Sequence, residues 1–220
     1  MKLDLHIHSA YSRDASASAL EIVRKCKSLG LDGLAITDHN EIKGSLEAFA
    51  LAASEGVVVV RGVELSAVEG HVIALGVKEL IPRGLSVPET VDKVRAAGAI
   101  AIAAHPGRFP SGIGIERAMV MDFDAIEVLN GGSSKRSNSR ARTVAEHRKL
   151  PMTAGSDAHG IEQAGKAWTA VEGSSNEDDI IQAIAQGRCA VGGRSRTVGE
   201  GARYSLETFV EWLRGDLRRL

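Results

Sequence analysis

Short apolar runs alternate along the chain with longer segments whose apolar residues recur every three or four positions. The runs KLDLHI, LDGLAIT, VVVVRGVELSA (one broken strand), HVIALGV, AIAIAA, AIEVLN, MTAGS, AWTAVEG and CAVGG predict strands. Between them, ASALEIVRKCKSLG, IKGSLEAFALAASEG, VPETVDKVRAAG, IERAMVMD, SSKRSNSRARTVAEHRKL and NEDDIIQAIAQGR have helical spacing. Gly30 is placed to stop the first helix, and Pro88 suits the first turn of the third. Strands that are apolar on both faces and alternate with helices predict an α/β fold, its parallel sheet covered outside as a barrel or a doubly wound layer. No Pro-, Ser- or Gly-rich linker divides the chain, which predicts a single domain over residues 1–200. The tail over 201–220, with YSLETFVEWLRGDLRRL, reads as an amphipathic helix that packs on it or meets a partner.

The 220 residues are ample for a core, and a formal net charge of -1 argues against an extended nucleic-acid or membrane-surface binder. Cys26 and Cys189 lack metal or redox spacing, and no apolar run is long enough to span a bilayer. A cytoplasmic location is the expectation.

The candidate chemistry lies in where the polar residues fall. His6 and His8 alternate on the first strand, so they share a face, with Asp4 expected below them. LAITDH ends in Asp38 and His39, VVVVRGVE in Glu64, AIAIAAHP in His105, AIEVLN in Asn130 and MTAGSDAH in Asp157 and His159, while His71 opens HVIALGV. Carboxyl ends of strands are where parallel α/β folds build sites. With Asp14, these residues form a nitrogen and oxygen donor set without thiolate, suited to Zn, Mn or Fe in a hydrolytic centre. The donors exceed the roughly four that one zinc ion takes, so two or three divalent ions sharing a carboxylate, with Glu64 the candidate bridge, account for them. Asp4 and Asp38 are candidates for orienting imidazoles, His147 for a solvated helix position and Cys26 for buried packing. Arg108, and with less support Arg13 and Lys135, could meet phosphate oxygens.

The ordered motifs HIH, TDHN, GVE, AHPGR and GSDAH, with KAWTAV after them, resemble the PHP family (polymerase and histidinol phosphatase domain). The resemblance implies a distorted (β/α)7 TIM-like barrel with a trinuclear metal centre at the C-terminal rim. It further implies that His6, His8, Glu64 and Asp157 hold one ion, that Glu64 bridges to a second with His105 and His71, and that Asp14, His39 and His159 hold a third. Several members have histidine where Asp14 stands. The activity implied is hydrolysis of a phosphate ester by metal-activated hydroxide, with Arg108, Asp157 and His159 as catalytic residues. The substrate would be a small phosphomonoester, a nucleotide or a short oligonucleotide end. Two other readings stand beside it: an amidohydrolase-like C–N hydrolase, whose usual metal-ligand scheme TDHN and GSDAH fit poorly, and a non-catalytic metal-stabilised binding module.

Overall fold

The computed structural model describes residues 1–173 and 175–201, so the predicted tail helix lies outside the described residues. Its elements run β1 (Lys2–Ile7), α1 (Ala19–Ser28), β2 (Gly33–Ile36), α2 (Lys43–Glu55), β3 (Val58–Val59), β4 (Gly62–Ala67) and β5 (Gly70–Leu75). They continue α3 (Val87–Ala96), β6 (Ile100–Ala103), α4 (Ile115–Ala118), β7 (Ala125–Asn130), α5 (Lys135–Arg148), β8 (Met152–Gly155), β9 (Ala167–Val171), α6 (Glu177–Ala185) and β10 (Cys189–Gly193). Each predicted strand and helix within the described residues is present. Local chemistry sets the boundaries. Ser18 with Glu21 and Ser86 with Glu89 form capping boxes on α1 and α3, and Gly56 ends α2 in the left-handed region.

The fold is a single α/β unit with two mixed five-stranded sheets, ordered β10-β9-β1-β2-β3 and β4-β5-β6-β7-β8. A closed (β/α)7 ring of continuous ladders is not formed. The sheets meet at their rims instead, through isolated bridges between Ile7 and Ala158 and between His39 and Glu64. The all-parallel expectation also needs correction. β5 is antiparallel to both β4 and β6, and β9 is antiparallel to β1 and β10. The cause is local: Ala67 pairs with Gly70, leaving only Val68 and Glu69 to turn the chain, and so short a loop can join only antiparallel strands. The reversal places His71, at the start of β5, beside the end of β4.

Two slips in register interrupt the ladders. Asp4 pairs with Leu34 but Ile7 with Ile36, so β1 carries one residue more than β2 across that interval. The Asp4 carboxylate accepts from the amides of Ser156 (2.8 Å), Gly165 (2.8 Å) and His6 (3.3 Å) and touches neither imidazole, which corrects its predicted place beneath them. β7 has a similar extra residue between Glu127 and Leu129, and Glu127 and Asn130, three apart, end up hydrogen-bonded to each other.

Leu3, Leu5, Ala35, Ile73, Ile102 and Ala125 from both sheets pack into one apolar cluster. α1 and α2 cover β2 through Ile22, Val23, Cys26 and Ala48, and α3 and α5 cover the second sheet through Val91, Val94, Val144 and Ala145. Cys26 is buried there, as expected of packing, and burial pushes its thiol pKa up. Among the described residues no helix is long and apolar enough to cross a membrane.

β1 and β8 approach so closely that Gly155 has no room for a side chain: an added Cβ would stand 2.3 Å from the His6 Cβ. Gly155→Ala should therefore cost about 1–3 kcal/mol in urea unfolding of chelator-treated protein. A change within about 0.5 kcal/mol, the range of neutral surface substitutions, would contradict this packing.

Candidate metal centre

The strand ends converge on Glu64, a carboxylate fully buried in β4. Its Oε1 lies 2.9 Å from His105 Nε2 and 3.0 Å from His71 Nδ1. Its Oε2 lies 3.0 Å from His39 Nδ1 and 3.4 Å from the Nε2 atoms of His6 and His8. Five imidazoles from four strand ends thus surround one carboxylate. Glu64 Oε2 and His39 Nδ1 nevertheless lack hydrogen-bond partners of acceptable geometry. Buried polar atoms left this way are costly unless something else satisfies them.

A cation fits that description. His6 Nε2 is 3.3 Å from His8 Nε2 and 3.5 Å from Asp157 Oδ1, and His8 Nε2 is 3.3 Å from the same oxygen. With the two 3.4 Å separations to Glu64 Oε2, five edges of a four-atom set fall in a narrow range. Ligands about 2.1 Å from a tetrahedral ion stand roughly 3.4 Å apart. Further groups with metal-compatible spacing are His6, Glu64 and His105; His39, Glu64 and His71; and His8, His39 and His159. Asp14 closes the open side, its Oδ2 3.1 Å from His159 Nε2 and 3.6 Å from His39 Nε2. All nine predicted donors are therefore in one place.

Their outer nitrogens are held as well. His6 Nδ1 donates to Glu127 Oε1 at 2.9 Å, which leaves its Nε2 facing the centre. Glu127 Oε2 also accepts from the His105 amide (2.8 Å) and from Asn130 Nδ2 (3.0 Å). One buried glutamate thereby aligns two candidate ligands. His8 Nδ1 meets Ser12 Oγ at 3.1 Å, and that hydroxyl donates to Asp38, so Asp38 orients an imidazole through a serine. Sequence reasoning missed Glu127 and Ser12. The signal for Glu127 was an acid inside the apolar run AIEVLN. His105 and Asp157 adopt left-handed backbone, with φ of 30° and 53°. Non-glycine residues held there cost about 1–3 kcal/mol each and concentrate at functional sites.

The electrostatics are those of a charged cluster excluded from water. Burial pushes the Glu64 and Asp157 carboxyls up, but the surrounding imidazoles, and Arg108 for Asp157, outweigh it and hold both well below the usual range. His6 responds in the opposite sense: burial opposes its charge, yet Glu127, Asp157 and Glu64 raise its pKa well above normal. His39 is likewise raised to about 10, with Asp14 and Glu64 overcoming burial. His8 falls to about 3 through burial and the neighbouring His159.

A cavity of about 280 Å³ opens beside Asp157 and His159, lined by Arg108, Lys166 and Arg196 and also by Glu162 and Glu200. Arg108 bonds Asp157 Oδ2. Arg13 is exposed and does not line this cavity, and Lys135 lines a neighbouring groove instead. His147 is exposed on α5, as expected.

Fold and site together define an α/β protein whose strand ends gather imidazoles and carboxylates into a cation-binding donor set. The chain belongs to the PHP domain family: the PHP domain model matches residues 4–129 and the PHP-associated model residues 135–189. An uncharacterised protein of Methanocaldococcus jannaschii is 39% identical over 141 residues, covering 59% of this chain and 82% of that one. The 3′,5′-nucleoside bisphosphate phosphatase of Chromobacterium violaceum is 22% identical over 255 residues, covering 74% and 89%. A two-domain protein of Bacteroides vulgatus containing a predicted PHP-like metal-dependent phosphoesterase superposes with a TM-score of 0.75 at 20% identity. That match covers 88% of this chain and 65% of the Bacteroides chain, so it shows shared fold over part of a longer protein.

Protons and cations compete for this cluster. In metal-free protein the surrounding carboxylates favour the protonated forms of His6, His39 and His159, and a metal must displace those protons. Loading should release protons, read by calorimetry in buffers of different ionisation enthalpy, and affinity should fall as pH falls. Uptake without proton release would contradict the assignment. Glu127→Gln should weaken metal binding about 10–100-fold while the protein stays folded.

Proposed function

We propose that this PHP-family phosphoesterase hydrolyses a terminal phosphate ester of a small molecule, nucleotide or oligonucleotide end at a centre of three divalent ions. Glu64 carries the reading, because each of its oxygens faces a different set of imidazoles. His6, His8, Glu64 and Asp157 would hold one ion; Glu64, His105 and His71 a second; Asp14, His39 and His159 a third. Nitrogen and oxygen donors without a nearby thiolate suit Zn, Mn or Fe. Bound there, such ions lower the pKa of water from 15.7 towards about 7 and withdraw charge from phosphoryl oxygens.

The chain's own residues supply the rest. Arg108 lines the cavity beside Asp157, where a guanidinium fork can meet phosphoryl oxygens and offset the charge that builds on them. His159, partly exposed at the cavity wall, would hold the third ion with Asp14 and His39 or, in a centre of two ions, give its proton to the leaving oxygen. Burial lowers its pKa, but Asp14 and Asp157 outweigh burial and hold it above the ordinary imidazole value. The buried imidazoles and Glu127 hold the donors rigid, and the apolar cluster beneath excludes water. The name of the Chromobacterium relative supports phosphate ester chemistry on a nucleotide.

The test is metal analysis followed by phosphate release from a panel of monoesters, diesters and 5′-phosphorylated oligonucleotides. Two to three ions per chain and release from monoesters or phosphorylated ends are expected. Amide hydrolysis without phosphate release would move the protein to C–N chemistry, and fewer than two ions would end the three-ion proposal. Arg108→Ala should lower kcat by roughly 10²–10³-fold with metal content retained.

A further inference from the structure

Asn130 closes β7 fully buried, and its side-chain amide meets three different parts of the site. Nδ2 donates to Glu127 Oε2 at 3.0 Å and to Asp157 Oδ2 at 3.3 Å, while Oδ1 accepts from the Gly132 amide at 3.0 Å. That third contact fixes the orientation of the group. Turned over, it would set an N–H against the Gly132 N–H and its oxygen against two carboxylates. The backbone is held just as firmly. Asn138 on α5 accepts from the Asn130 amide (3.2 Å) and donates to its carbonyl (2.9 Å).

A neutral amide suits this place. Two buried carboxylates that converge on one nitrogen repel each other unless a donor stands between them. A lysine or arginine would supply donors together with a charge that competes with metal ions, and an acid would add a third negative group. Asparagine gives each carboxylate an N–H and stays neutral. The consequence is clearest at Asp157. Arg108 and Asn130 occupy its Oδ2, so Oδ1 is the oxygen turned to the imidazoles, 3.3 Å from His8 Nε2 and 3.5 Å from His6 Nε2. The cavity wall depends on the same amide. Gly131 and Gly132 line the cavity, and a Cβ on Gly132 would stand 3.2 Å from Asp157 Oδ2 and 3.4 Å from Arg108 Nη1. The wall thus lies directly on the Asp157–Arg108 pair, and Asn130 ties the two together.

We propose that Asn130 is a positioning residue of the metal centre, whose one amide presents Asp157 to the ions through Oδ1 and locks the glycine wall of the cavity to the same carboxylate. Buried and absent from the cavity lining, it acts through Asp157 and Glu127. The inference rests on the reading of Asp157 as a metal ligand and adds the group that sets how that ligand binds.

The test loads chelator-treated wild type, Asn130→Ala and Asn130→Asp with cobalt, whose visible bands report ligand geometry, and with zinc in competition with a chelator. Asn130→Asp keeps the shape and the acceptor for Gly132 but has no N–H to give. Both variants should show altered cobalt bands and zinc affinity lower by about 10–100-fold. At saturating metal, kcat for phosphate release should fall with KM within about threefold of wild type, because Asn130 lies outside the cavity. Wild-type bands and affinity in either variant would overturn the proposal, and in Asn130→Asp they would reduce Asn130 to a tie for the glycine loop. A raised KM with unchanged metal binding would overturn it in the same way. Should Asn130→Ala not fold, Asn130→Asp decides. Should wild type take up no ion, the metal reading fails by itself. A metal-free crystal structure of Asn130→Asp then decides the clamp alone: a rotated Asp157 carboxylate supports it, and an unmoved one overturns it.

Discussion

A single buried carboxylate organises this molecule. Glu64 sits in the interior with imidazoles from β1, β5 and the ends of β2 and β6 within 3.4 Å, an arrangement that is unfavourable unless charge compensates charge. The fold is arranged around meeting that demand. The β4–β5 hairpin returns His71 to the same rim, and left-handed backbone at His105 and Asp157 brings their side chains into the cluster. Isolated bridges at Ile7–Ala158 and His39–Glu64 join the two sheets at this rim, so the centre is also where the sheets are fastened together. Metal binding and the stability of that junction are consequently coupled.

The surroundings divide the labour. Glu127, Ser12 and Asp38 fix ring orientation from behind, and the open side carries Arg108, Lys166 and Arg196. A carboxylate-rich donor floor beneath a cavity that offers Arg108, Lys166 and Arg196 beside Glu162 and Glu200 suits a metal-bound phosphate ester. Ions held on that floor would activate water and withdraw charge, and the guanidinium and ammonium groups could meet oxygens left unneutralised.

Much of this was legible in the sequence. The strands β1–β10 and helices α1–α6 announced themselves through apolar periodicity, though the 3-10 turn Ile161–Gln163 did not, and the nine donors stood out because most fell at strand ends. What stayed hidden depends on register and partnering. Alternation alone put Asp4 beside His6 and His8, and only the amides of Ser156, Gly165 and His6 show where its carboxylate turns. HVIALGV reads identically as a parallel or an antiparallel strand, and the two-residue loop before it was the available clue. The β/α rhythm left barrel and doubly wound layer open and the family resemblance implied the barrel, whereas ring closure depends on ladders between strands remote in sequence, and here isolated bridges stand in their place. Glu127 looked like one acid in an apolar run because its role depends on His6, 121 residues away. Arg196 follows the last strand and gave no local sign that it would meet the loop before α5.

The most direct measurement is metal content per chain in Glu64→Gln beside Asp157→Asn, by elemental analysis after equilibration with excess zinc or manganese. If Glu64 is shared between ions, Glu64→Gln should lose at least two ions per chain while Asp157→Asn loses about one. Loss of a single ion from Glu64→Gln, or full retention in a folded protein, would contradict a centre built on that carboxylate.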